Sequence, residues 1–300
     1  MADSTGLIET WLPQAGNELA ALQAADGGWS YVAGQASATE PTALALLALT
    51  AIQPATFRAS SAIEWLLARQ RGDGTFTAWP VSEEPSWVTP LAALALLHQG
   101  RTDASGPAAQ AVLDMPAYTI DALLASGIYG YNTELRGWPW TAGDFSFVEP
   151  TCLAMIFLKK AGYRDHPRAR EAADMLRNRA LAGGGWNYGE PMVWGGGLYP
   201  AASSTAMALA ALADEQDDVT AAGLNWLLAQ RGAIGSLPSL GWAAVALNVL
   251  GRLDGAWAGD VVATWSATPP QRRGPLETSL CMLGAISLAS PGNHPLGVNS

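Results

Sequence analysis

The chain has 300 residues, with 16 Lys plus Arg against 26 Asp plus Glu, a formal net charge of −10, and 14% charged beside 49% hydrophobic residues. That balance excludes a nucleic-acid or anionic-membrane surface, which needs clustered positive charge. It also excludes a disordered chain, because so apolar a sequence buries a large core. Thirteen tryptophans are the compositional oddity: that many indoles require a core or a cavity to receive them.

Met1 to Trp11 carries acids and no basic-then-apolar run, so no signal peptide is read there, and residues 1–9 are expected to be an irregular tail. No apolar stretch approaches the roughly 18 residues that suggest a membrane span. The expectation is a cytoplasmic protein with no integral membrane segment.

Two kinds of segment then alternate along the chain. Amphipathic stretches with one wet face run over 16–24, 61–70, 109–125, 171–180, 219–230 and 256–266. Between them lie stretches that are apolar nearly all round, at 41–49, 89–97, 150–158, 204–212, 239–247 and 278–286. These open on Ser or Thr, which can cap exposed N–H groups, and Pro41, Pro90 and Pro150 suit a first helical turn. Cys152 and Cys281 fall inside the apolar runs and read as buried free thiols. Residues 290–300, rich in Gly, Pro and Asn, read as an irregular tail.

The buried segments recur roughly every 35 to 60 residues, a spacing typical of helical arrays. Six buried helices alternating with six half-exposed ones imply an inner barrel wrapped by an outer barrel. The chain therefore reads as all-α, one (α/α)6 toroid over residues 1–300, although length alone suggests two domains. A Gly-aromatic turn follows several outer segments: Gln23-Ala-Ala-Asp26-Gly27-Gly28-Trp29, Gln70-Arg-Gly-Asp73-Gly74-Thr-Phe76, Gly137-Trp138 and Gly183-Gly184-Gly185-Trp186. Gly ends the helix in a left-handed cap, and the aromatic packs back between neighbouring pairs.

Gln-x-x-Asp-Gly-Gly-Trp followed by an Ala/Leu-rich helix resembles the QW repeat of squalene-hopene cyclases and related class II terpene cyclases, whose toroid is shared by the β-subunits of protein prenyltransferases. The resemblance runs from about residue 10 to 290 in degenerate copies. It implies an active cavity at the end of the barrel where the inner helices begin, and an acid that protonates an alkene or epoxide. Residues just before those helices then face the site: Glu40 before Thr42, Glu149 before Thr151 and Glu277 before Thr278. Carboxylates also suit helix N-termini on their own account. Three converging on one mouth, buried among aromatics, would raise each other's pKa and keep one protonated as a general acid.

Aligning Thr-Ala with the family's Asp-x-Asp-Asp-Thr-Ala motif places Glu40 at the middle acid, but Ala38 and Pro41 replace the flanking acids. Glu149-Pro150-Thr151 repeats that register. Trp87, Trp138, Trp140, Phe145, Trp194, Tyr199 and Trp242 lie in or beside the loops leading into inner helices and are read as the aromatic lining for an apolar substrate. The prenyltransferase branch requires zinc, and His98, His166 and His294 form no ligand cluster. No metal and no cofactor are expected, and no dinucleotide fingerprint is present. The function read from this sequence is acid-initiated cyclisation or rearrangement of an apolar polyene or natural-product intermediate. A carboxylate-based hydrolase or lyase on the same toroid, or a non-catalytic apolar-ligand binding protein, are the alternatives.

Overall fold

The structure is a computed structural model describing residues 4–82, 87–121, 128–193, 196–289 and 294–298. Twelve α-helices are found among them: α1 (Ser4–Ala21), α2 (Thr39–Thr50), α3 (Ala59–Leu67), α4 (Thr89–His98), α5 (Thr102–Asp114), α6 (Val148–Lys160), α7 (Pro167–Asn178), α8 (Ala202–Ala211), α9 (Asp218–Ala229), α10 (Leu237–Val249), α11 (Gly255–Ala267) and α12 (Pro275–Ala289). A two-stranded ribbon, Met192–Val193 with Gly196–Gly197, is the only described sheet.

The even-numbered helices pack each on the next, and α12 returns to α2, so the inner ring is closed. The odd-numbered helices lie outside it: α7 packs on α6, α9 on α8, α11 on α10, and α1 on α12. Six-fold alternation of fully apolar and one-sided segments leads to this double barrel, because a helix without a wet face needs neighbours on every side. In α2 every residue from Pro41 to Leu49 is buried, whereas α3 buries only Ala62, Trp65 and Leu66. Small residues set the closest approach: a Cβ on Gly284 of α12 would lie 2.5 Å from the Cβ of Ala244 in α10.

The threonines opening the inner helices do not cap them. No side-chain cap is present on α2, α4, α6 or α8. Instead Thr42, Thr89, Thr151 and Thr205 accept the backbone N–H of Trp29, Phe76, Trp138 and Trp186, each at 2.8–2.9 Å. The indole N–H groups of the three tryptophans run the other way, to Leu19, Val112 and Leu176 carbonyls on outer helices. One aromatic residue thus ties an inner helix to an outer one in each of these repeats. The glutamine of the turn reaches the following outer helix: Gln23 donates to the Arg58 carbonyl and accepts the Arg58 N–H, both at 3.0 Å. Gly27 has φ +97, and a Cβ there would meet the Ser61 carbonyl oxygen at 2.5 Å, so the turn docks on α3 only with glycine.

Three expected boundaries move. Residues 1–9 are not an irregular tail, since helix α1 runs from Ser4 through Pro13. The third outer helix is Thr102–Asp114 rather than 109–125. Pro107 lies inside this helix, and buried Ala104, Ala108, Ala109 and Val112 hold it together across the proline; residues 122–127 lie outside the described ones. The C-terminal residues 294–298 are non-helical but packed. His294 bonds Leu283 of α12, Pro295 meets the His98 ring at the end of α4, and Arg164 donates to the Val298 carbonyl. They lie across the end of the ring where the inner helices finish.

Candidate active site

The opposite end, where inner helices begin, carries the three glutamates, and the closed order of helices fixes their arrangement. Glu40 on α2 and Glu277 on α12 are ring neighbours. Glu149 on α6 and Ser204 on α8 are neighbours on the opposite arc, separated from the first pair by α4 on one side and α10 on the other. The mouth therefore has two carboxylate stations facing one another, rather than three acids at one point.

At the first station the Tyr31 hydroxyl donates to Glu40 Oε2 at 2.5 Å. Burial pushes the Glu40 carboxyl up to about 7; the Tyr31 hydrogen bond opposes this and the nearby Glu277 charge adds to it. The phenol itself is pushed well up by burial and by Glu40, so Tyr31 stays protonated and remains the donor. Glu277 Oε2 is buried without a hydrogen-bond partner, and Gly274 lies so close that a Cβ would sit 2.6 Å from both that oxygen and the Tyr31 carbonyl. Glu40 as a residue is half-buried, with its carboxyl desolvated by the surrounding protein.

At the second station Ser204 donates to Glu149 Oε1 at 2.5 Å, while Glu149 Oε2 is buried and bare. Burial raises this carboxyl also, with the serine bond partly offsetting it. Cys152, one turn further along α6, is fully buried with its thiol pushed well up by burial, which keeps it protonated and unreactive. Among the described residues no group of His, Cys, Asp and Glu is placed to hold a metal ion, and no helix is long and apolar enough to cross a membrane.

The aromatic residues divide. Trp87 and Trp140 are half-buried and meet edge to face, ring centroids 4.9 Å apart, in the loops before α4 and α6. Phe145 is 44% exposed against Tyr118, and Tyr199 stands 89% exposed. Trp242 is buried within α10. Trp138 does not line the mouth: it is 2% exposed, held by Val112 and Thr151, and plays the same tying part as Trp29 and Trp186. Trp194 lies outside the described residues. Tyr31, which bonds Glu40, and Trp79, whose ring lies 6.4 Å from that of Tyr31, are not among the residues expected at the site from the sequence.

No family model matches the chain, and no curated protein matches it by sequence. Solved structures do. The type II terpene cyclase MstE from Scytonema superposes with a TM-score of 0.63 and 15% identity, covering 96% of this chain and 99% of that one. A variant of MstE in complex with geranylgeranyl dihydroxybenzoate, its substrate, gives 0.64 at 13% identity over 96% and 99%. A protein from Actinoplanes gives 0.58 at 19% identity over 94% and 99%. The chain therefore has a class II terpene cyclase-like toroid fold. At these identities the likeness is one of fold, and the chemistry rests on this chain's own site.

Proposed function

We propose that the protein is a terpene-cyclase-like enzyme that holds an apolar polyene in the mouth of its inner barrel and isomerises it by proton transfer. The observation carrying this reading is the Glu40 station: a carboxyl at the start of an inner helix, pushed up to about 7 by burial and oriented by the Tyr31 hydroxyl. Near neutrality about half of such groups carry the proton, and the acid form donates it to an alkene carbon or to an epoxide oxygen, whose C–O bond then opens. Tyr31 then stabilises the carboxylate left behind. The cation is shielded by aromatic rings at the mouth, Trp79, Trp87 and Trp140, which favour positive charge over their faces.

Ring closure ends with loss of a proton from carbon. The acceptor in this reading is Glu149, on the opposite arc of the ring, with one oxygen held by Ser204 and the other buried without a hydrogen-bond partner. One proton given at the first station and one taken at the second balance an isomerisation, and exchange with water resets both groups. A donor and acceptor on opposite arcs suit an elongated substrate better than the single-point attack of a hydrolase.

The test is incubation of purified protein with linear polyprenyl substrates bearing a free or epoxidised terminus, with products resolved by mass and chromatography. Cyclised product is expected, with E40Q reduced by roughly 10²- to 10⁴-fold. Cyclisation that survives unchanged in E40Q overturns the assignment. Activity should fall as pH rises through about 7, because the donor is the protonated form of Glu40.

A further inference from the structure

A second feature of the mouth face lies outside the inner ring. A pocket of about 100 Å³ is lined by Tyr118, Tyr129, Tyr131, Phe145, Arg179 and Glu190, among others. None of its lining residues belongs to an inner helix; Arg179 is the C-terminal cap of α7. The Arg179 side chain is 6% exposed, packed over the Tyr131 ring at 3.5 Å, with Nη1 donating to the Gly189 carbonyl at 2.5 Å and Nε without any partner. Among the described residues no carboxylate lies within 4 Å of it.

That is an unusual position for a guanidinium. Buried cations are ordinarily paired, since desolvating an unpaired charge is expensive. Burial pulls this group below its usual range, with Tyr131 and Glu190 only partly restoring it. Arg168, buried one helix-length away, differs in having Glu171 at 3.9 Å and two backbone carbonyls. Arg179 instead faces a cavity walled by two aromatic pairs, Tyr118 with Phe145 at 5.0 Å and Tyr129 with Tyr131 at 5.4 Å. The exposed rings of Tyr118 and Phe145 form the open rim.

We propose that this pocket is a binding site for a small monocarboxylate whose apolar body is no larger than one ring. Arg179 neutralises the carboxylate and the four aromatic residues sandwich the body. No lining residue belongs to an inner helix, so the site is distinct from the barrel mouth. Glu190, at the solvent edge of the same pocket, opposes the anion through water. It therefore lowers affinity without excluding the ligand.

Benzoate is the probe, with acetate and inorganic phosphate beside it, followed by ligand-observed NMR and titration calorimetry on the full chain. Benzoate is expected to bind in preference to acetate and phosphate. R179Q should weaken it about tenfold or more, as loss of a charge-assisted pair predicts. E190Q should tighten it about two- to threefold by removing a like charge at the rim, and E40Q should leave it unchanged. E190Q alters an exposed side chain, so it decides the matter even if R179Q folds poorly. No benzoate binding at millimolar concentration, no tightening in E190Q, or loss of binding in E40Q each overturns the proposal. The last outcome would put benzoate in the barrel, whereas failure of cyclisation alone leaves this site standing.

Discussion

Glu40 is the residue whose chemistry the surroundings change most visibly. Its carboxyl is raised from an ordinary value near 4.5 to about 7. The folded state therefore holds this proton more tightly than the unfolded chain. The associated stability is fully present below about 4.5 and is lost as pH rises through about 7. E40Q, which cannot ionise, should accordingly be more stable than the parent at pH 8 by about 1 to 3 kcal/mol and equal to it at pH 4.5. Denaturant unfolding at the two pH values measures this, and a destabilised E40Q at pH 8 would count against the buried position of the carboxyl. The glutamates themselves were legible from their register before the threonines that open the inner helices. Tyr31 and Ser204 as their partners were not, because Tyr31 lies in an irregular turn nine residues before Glu40, where no periodicity says which way it points, and Ser204 belongs to the neighbouring helix of the ring.

Helix pairs are joined by the aromatic turns, and the energetics of that joint follow from its hydrogen bonds. Thr151 accepts the Trp138 N–H in a fully buried setting. Thr151→Val keeps shape and removes the acceptor, leaving a buried donor unpaired at a cost of about 1 to 3 kcal/mol. Gly27→Ala should be at least as damaging, since it combines positive φ with a Cβ 2.5 Å from the Ser61 carbonyl oxygen. Loss of stability in both, read from thermal melts, is the expected outcome; a neutral Thr151→Val would show that the joint does not depend on this bond. Sequence periodicity exposed the elements because burial imposes it directly. It misassigned Thr42, Thr89, Thr151 and Thr205 as caps because the same hydroxyl satisfies a helix N-terminus or a neighbouring turn equally well. Trp138 was misplaced for a related reason: proximity to an inner helix does not say which way an indole points.

Across the whole molecule the two ends of the ring are unlike. The mouth carries carboxylates and aromatic rings, while residues 294–298 lie across the far end, with Leu296 and Val298 fully buried. His294 holds that segment as a neutral ring, bonded through Nε2 to the Leu283 carbonyl and accepting the Leu296 N–H at Nδ1. Burial, with Lys160 and His98 nearby, pushes it down to about 4. A depressed histidine binds its proton less readily folded than unfolded. Its contribution to stability is present above about 6.5 and is lost as pH falls through about 4, amounting to about 2 to 3 kcal/mol. His294→Gln should flatten that part of the pH dependence, seen in unfolding curves between pH 7 and 4.5. An unchanged slope would show that the ring is not buried as a neutral donor and acceptor.

What the sequence by itself determined was the double ring, since hydrophobic periodicity is a local record of how many sides of each helix meet water. It also brought out the glutamates, because each sits within three residues of the start of an inner helix. Only the tertiary structure decided that the acids lie on two opposite arcs of the ring, that the threonines tie turns rather than cap helices, and that Arg179 is buried beside an aromatic pocket with no ion-pair partner among the described residues. Those facts depend on which segments become neighbours when the ring closes, and contact between residues distant in the chain leaves no periodic trace along it.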